Sequence, residues 1–161
     1  MTDYLLLYSG GSMPESEAEQ AAVMKAWDEW MHALGDGLKE TFARHAAASR
    51  ALSAGLEAMG LELFGDQRHK MANITGVHIP EGIDGEKVRG AMLEDFGIEI
   101  GTSFGPLRGR IWRIGTMGYN CRKQNVLICL GALEAVLRRA GLSFAAGAGV
   151  EAAYAAYAAQ A

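Results

Sequence analysis

Apolar residues along this chain change their period several times, and each change marks a predicted element. The opening run "DYLLLYSGG" is apolar and ends in Ser-Gly-Gly, which suits a strand buried on both faces. "SMPESEAEQ" follows, with Pro and acidic residues where a helix N-terminus favours them. Ser12 with Glu15, and Ser16 with Glu19, each have capping-box spacing. Val23, Trp27, Trp30, Met31 and Leu34 then recur on one helical face, and Gly35 and Gly37 around Asp36 should break the helix.

The second helix carries the cleanest repeat. Leu38, Phe42, His45, Ser49, Leu52, Leu56 and Met59 alternate steps of four and three, which lines them up in one stripe, and Gly60 is the stop. His45 lies in that stripe without an acidic or cysteine partner at a helical offset, so a packed histidine is expected there. "LELF" and "NITGVHI" read as short strands. "DGEKVRGAMLEDFG" reads as a helix with Asp84 at its N-cap, Val88, Met92 and Phe96 inward, and Gly97 as the stop. "IEIG" and "RIWRIG" are further strands around the loop "TSFGPLRG". Asn120 is then the expected cap of a helix whose Val126, Leu130, Leu133 and Leu137 point inward, with cations in the closing "RRAG". The alanine-rich tail from residue 143 either forms a short helix docked through Tyr154 and Tyr157 or frays. Strands and helices do not alternate strictly. The expected class is therefore α+β, a two-layer arrangement with a small mixed or antiparallel sheet and helices mainly on one face.

Composition narrows the function classes. At 161 residues, half of them hydrophobic, the chain can bury a real core. A formal charge of −4 with scattered Lys and Arg argues against a nucleic-acid partner. No run approaches the length of a membrane span, and the N-terminus has no basic segment of the signal-peptide kind. Cys121 and Cys129 lack metal-ligand or scaffold spacing and read as reduced thiols on a helix in a cytoplasmic protein; no metal is expected.

"RHAAASRALSAGLEAMGLELF", "NITGVHIPEGIDGEKVRGAMLEDFGIEIGTSFGP" and above all "WRIGTMGYNCRKQNV" carry a family resemblance. From about residue 37 to 142 the sequence resembles the C-terminal small domain of class V, fold type I, pyridoxal-phosphate (PLP) aminotransferases of the alanine–glyoxylate and ureidoglycine–glyoxylate kind. The resemblance implies that Arg113, in the "RIG" strand, pairs with a substrate carboxylate, for which a planar guanidinium fork is well shaped. Residues 1–36 resemble the opening strand and helix of YCII-related proteins, small ferredoxin-like domains that usually form dimers. The chain thus looks like a chimera joined near Gly35-Asp36-Gly37, with residues 37–142 as an aminotransferase-like unit and 143–161 as the tail.

In the family the large domain supplies the Schiff-base lysine, the acid for the pyridine nitrogen and the phosphate cup. The five lysines here, Lys25, Lys39, Lys70, Lys87 and Lys123, fall on helix surfaces, in a loop or at a helix start. The leading expectation is therefore a non-catalytic module with no cofactor. In it the YCII-like strand and helix complete an orphaned small domain, Arg113 is vestigial, and the chain self-associates as a homodimer. The alternative is one part of a PLP-dependent aminotransferase acting on glyoxylate and a small amino acid, with a separate large domain. A weaker third reading is a YCII-like enzyme with His32 as its acid–base group, although beside Asp28 and Glu29 a merely solvated histidine is the plainer account.

Overall fold

The computed structural model describes residues 16–33 and 37–159. The chain divides into two units, residues 1–41 and 42–161. The expected strand over residues 4–8 and the Gly35-Asp36 break lie outside the described residues.

In the first unit, α1 spans Glu17–Ala33. Its start is the capping box read from the sequence. The Glu19 amide donates to Ser16 Oγ at 3.3 Å, and the Ser16 amide donates to Glu19 Oε2 at 3.1 Å. Trp27 and Trp30 meet edge to face with ring centroids 5.5 Å apart. Val23, Trp27 and Trp30, three members of the helical face read from the sequence, are all exposed. A helix cannot bury its own apolar stripe without a second surface.

The second helix, α2, runs Leu38–Ala58 and ends near Gly60, whose φ of 77° is the left-handed conformation of a helix stop. Its stripe is buried only in the C-terminal half. Ser49, Leu52, Leu56 and Met59 are in the core, whereas Leu38 and Phe42 are exposed.

The second unit is built on β1 (Ile74–His78) and β2 (Ile111–Gly115), paired antiparallel with Gly76 opposite Arg113 and Val77 opposite Trp112. Single bridges add Leu63 beside Val77 and Gly101 beside Arg113. The predicted strands "LELF" and "IEIG" thus reduce to short flanking contacts on a two-stranded sheet. The α+β class holds, with antiparallel pairing. Alternation along both strands sends Thr75, Val77, Trp112 and Ile114 to one face, where all are buried. That face joins a core with Leu52 and Leu56 of α2, Val88 and Met92 of α3 (Gly85–Phe96), and Leu130 and Leu133 of α4 (Lys123–Arg139). Trp112 Nε1 donates to the Gly85 carbonyl at 3.1 Å, so this buried indole has its partner.

Asp84 caps α3 as expected, accepting from the Glu86 and Lys87 amides, and Gly97 closes the helix in the left-handed region. Phe96 is corrected from core to 45% exposed. Each step of four residues turns about 40° past a full turn, so the third member of the Val88–Met92–Phe96 series has rotated off the buried stripe. Asn120 is not the cap of α4. It lies in a 3-10 turn, Gly118–Cys121, and Arg122 occupies the N-cap position without a side-chain hydrogen bond. Cys121 therefore sits on that turn, and only Cys129 is on the helix.

The tail forms α5, Ala148–Ala158. It docks through small residues: Gly149 and Ala153 are buried, Tyr157 is half-buried and Tyr154 is exposed. A Cβ placed on Gly55 would lie 2.5 Å from Leu130 Cδ1 and 2.7 Å from the Gly149 carbonyl, so α2, α4 and α5 meet too closely for any side chain at this position. The buried Glu134 of α4 accepts from the Gly147 amide at 2.5 Å and holds the N-terminal end of α5.

Candidate functional site

The other face of the sheet is only partly covered, with Ile111 buried and Arg113 half-buried. It carries Ile74, Gly76 and His78 from β1 and Ile111, Arg113 and Gly115 from β2. Gly76 lies against Phe64, and a Cβ there would come within 3.2 Å of the Phe64 Cβ and 3.3 Å of its ring. A cavity of about 400 Å³ opens over this face, between the loop after Phe64 and the loop after Gly101. Phe64, Gly76, Ser103 and Arg113 are among its walls, together with Asp66 and His69 of the first loop.

Arg113 is fixed at three points. Its backbone exchanges hydrogen bonds with Gly101 at 2.8 and 2.9 Å. Its Nε donates to the Thr102 carbonyl at 2.7 Å. Its guanidinium carbon lies 4.8 Å from the centre of the Phe104 ring, a cation–π distance. Among the described residues it makes no ion pair, in contrast to Arg89, which meets Glu86, and Arg139, which meets Asp95. Backbone and ring contacts orient the group while leaving its terminal nitrogens without a carboxylate. An anion with two oxygens is the natural complement of such a fork.

The loop beside it is braced by hydrogen bonds. Asp66 accepts from the amide, Nε and Nη2 of Arg68 and lies 2.9 Å from His69 Nδ1. Arg68, then His69, hold the Asp66 carboxyl down at about 2, below the usual carboxylate range. Gln67 Nε2 donates to the Phe64 and Gly65 carbonyls. Lys70 Nζ donates to Ser53 Oγ at 2.7 Å, and burial lowers the pKa of that amine.

Sequence reading singled out Arg113 and passed over what surrounds it. Thr102 and Phe104 belong to the loop "TSFGPLRG", and nothing in their spacing marks them or Asp66 and His69 as neighbours of Arg113. The dense polar run "GDQRHK" between two apolar stretches is the signal that marks the loop. His45 is half-buried, and its Nε2 accepts from the Gly118 amide at 3.3 Å, which fits a packed histidine. The side chain of His32 lies outside the described residues. Burial pushes the Cys129 thiol up to about 11, the wrong direction for a nucleophile.

The described lysines do not build a PLP cradle. Lys25 pairs with Glu29, and Lys87 pairs with Asp84. Lys123 lies over the Tyr154 ring at 3.8 Å, and Lys70 is taken by Ser53. Lys39 is exposed on α2, and of the five lysines only Lys70 lines the Arg113 cavity, where Ser53 holds it, so the cofactor's ring does not fit these residues alone. Among the described residues no helix is long and apolar enough to cross a membrane.

No family model matches the chain. It is similar to the (S)-ureidoglycine–glyoxylate transaminase of Bacillus subtilis, 58% identical over 120 residues that make up 74% of this chain and 29% of that protein. It is also similar to the pyridoxamine–pyruvate transaminase of Mesorhizobium japonicum, 33% identical over 123 residues, 76% of this chain and 31% of the relative. The crystal structure of the B. subtilis ureidoglycine–glyoxylate aminotransferase superposes with a TM-score of 0.75 at 56% identity, over 78% of this chain and 32% of that one. The chain thus spans about a third or less of the length of these relatives. They also correct one expectation, that no cofactor is involved. The homologues are PLP-dependent aminotransferases, and the large domain that binds PLP lies outside the matched stretch. The homologues and structural neighbours of this chain are class V PLP-dependent aminotransferases, and what it shares with them is a segment consistent with their C-terminal small domain.

Proposed function

We propose that this chain is the substrate-carboxylate-binding part of a class V aminotransferase, with Arg113 holding the carboxylate of glyoxylate or of a small amino acid. The observation that carries the reading is the state of Arg113: half-buried, oriented by the Thr102 carbonyl and the Phe104 ring, and without an ion pair among the described residues. A structural arginine at such a site would be expected to find a carboxylate of its own, because leaving a partly desolvated charge uncompensated is costly. PLP, when bound, acts as an electron sink for the amino acid's α-carbon. The residues on this chain bind and orient the acid end of the substrate. By themselves they should not transaminate: Lys25, Lys70, Lys87 and Lys123 are engaged, and Lys39 is exposed on α2 and does not line the Arg113 cavity.

Titrating the full chain with glyoxylate while recording amide chemical shifts tests the reading. Changes clustered at Thr102, Phe104 and Arg113 are expected, and the absence of any saturable change there would refute it. Adding PLP and borohydride to the chain alone should give only diffuse lysine labelling. Stoichiometric trapping at one lysine would show that the chain carries its own imine-forming amine.

The N-terminal part of the proposal rests on sequence. Residues 1–36 are read as a YCII-like graft, and homodimer formation through the exposed Val23–Trp27–Trp30 stripe is the way such a surface would be covered. A cytoplasmic location goes with this reading. Sedimentation of the wild type and Trp27→Ser would show a dimer weakened by the substitution; a monomer at every concentration would remove this part.

A further inference from the structure

We propose that His69 is a specificity-determining residue of the Arg113 cavity, reading the end of a small carboxylate ligand remote from its carboxylate and selecting ligands with an N–H or O–H donor there. The inference rests on the assignment of Arg113 as the carboxylate holder and extends it to the rest of the ligand.

Three observations carry it. First, His69 from the loop after Phe64 and Arg113 from β2 line the same cavity, whose volume of about 400 Å³ is far more than a two-carbon acid fills. A ligand seated on Arg113 therefore has space to extend toward the 65–71 loop. Second, the imidazole is oriented. Asp66 Oδ2 lies 2.9 Å from Nδ1. An ionised carboxylate can only accept, so in the neutral ring the hydrogen sits on Nδ1 and Nε2 presents a lone pair. Among the described residues Nε2 has no partner. Third, the loop that carries His69 is held in place although it is exposed. The Arg68 fork on Asp66, the two Gln67 bonds to the Phe64 and Gly65 carbonyls, and the Lys70–Ser53 contact fix the residues on either side. An exposed loop with no ligand to meet has no need of so many constraints, because surface ion pairs add little stability. Held groups around a cavity are what recognition requires.

The test compares two probes of one shape. N-carbamoylglycine and 4-methylpentanoate share a carboxylate and a similar outline, but only the first carries N–H donors at its far end. In titrations of the full chain, wild type should bind N-carbamoylglycine about fivefold more tightly, the effect of one neutral hydrogen bond. The ¹⁵N resonance of His69 Nε2 should move with that probe and not with the other. His69→Leu should abolish the preference for N-carbamoylglycine, and Asp66→Asn should reduce the ratio. His69→Gln, which keeps an acceptor, should restore part of it. An unchanged ratio in His69→Leu, or an Nε2 resonance that ignores N-carbamoylglycine, overturns the inference while leaving Arg113 in its role. Equal binding of both probes by wild type and Arg113→Gln, or no binding by either, removes the Arg113 assignment and this inference with it.

Discussion

The two faces of the β1–β2 sheet are made by alternate residues of the same ten positions, yet they do different work. Trp112 and Ile114 point into a core with essentially no access to water, whereas Arg113 between them opens onto a cavity. On the closed face the buried Trp112 indole is satisfied by the Gly85 carbonyl, whereas Thr75 Oγ1 is buried without a hydrogen-bond partner among the described residues. The open face holds a charge that has been oriented but not neutralised. A single period-two alternation thus separates stability from recognition within one strand, and substitutions one residue apart should have opposite signatures.

The largest effect belongs to the closed face. Trp112→Ala should destabilise the fold by about 3–5 kcal/mol, a cavity-forming loss, as read from denaturant midpoints. A loss under about 1 kcal/mol would mean the core does not depend on this face. Next comes the helix layer behind it: Gly55→Ala forces a methyl group against Leu130 and the Gly149 carbonyl and should cost about 1–3 kcal/mol. A neutral or stabilising result would show that α5 moves aside easily. The open face should be nearly silent by the same measure, with Arg113→Gln shifting stability by less than about 1 kcal/mol. The smallest effect is the pH response of the open-face loop. The Asp66 pKa is depressed to about 2 from 3.8, so its contribution is fully present above the unfolded value and fades as pH falls from about 4 toward 2. Asp66→Asn should flatten that part of the acid unfolding curve, and an unchanged curve would show that its hydrogen bonds do not form in solution.

Local physics made much of the fold legible. The Ser16–Glu19 box, the Asp84 cap and the Gly97 stop are short-range chemistry, and each stands where the spacing placed it. The buried series of α4 was readable for the same reason. Positions that depend on a distant surface were less so. Val23, Trp27 and Trp30 are periodic, but periodicity shows only that a stripe exists and not that something covers it. Gly55 has no local signature, because nothing nearby in sequence announces that Leu130 and Gly149 approach it. At the site, Arg113 was found through its motif. Its orienting partners come from the loop "TSFGPLRG", whose spacing does not announce the contact, and the cavity wall at Asp66 and His69 comes from a segment more than forty residues upstream.

The most direct measurement is a calorimetric titration of propionate into wild type and Arg113→Gln, with thermal melting of both proteins recorded in parallel. The account predicts saturable binding by wild type, at least a tenfold loss in the variant, and melting curves that nearly coincide. Equal affinities, or a variant that loses binding only because it has unfolded, would contradict the claim that the open face is kept for a ligand and the closed face for the fold.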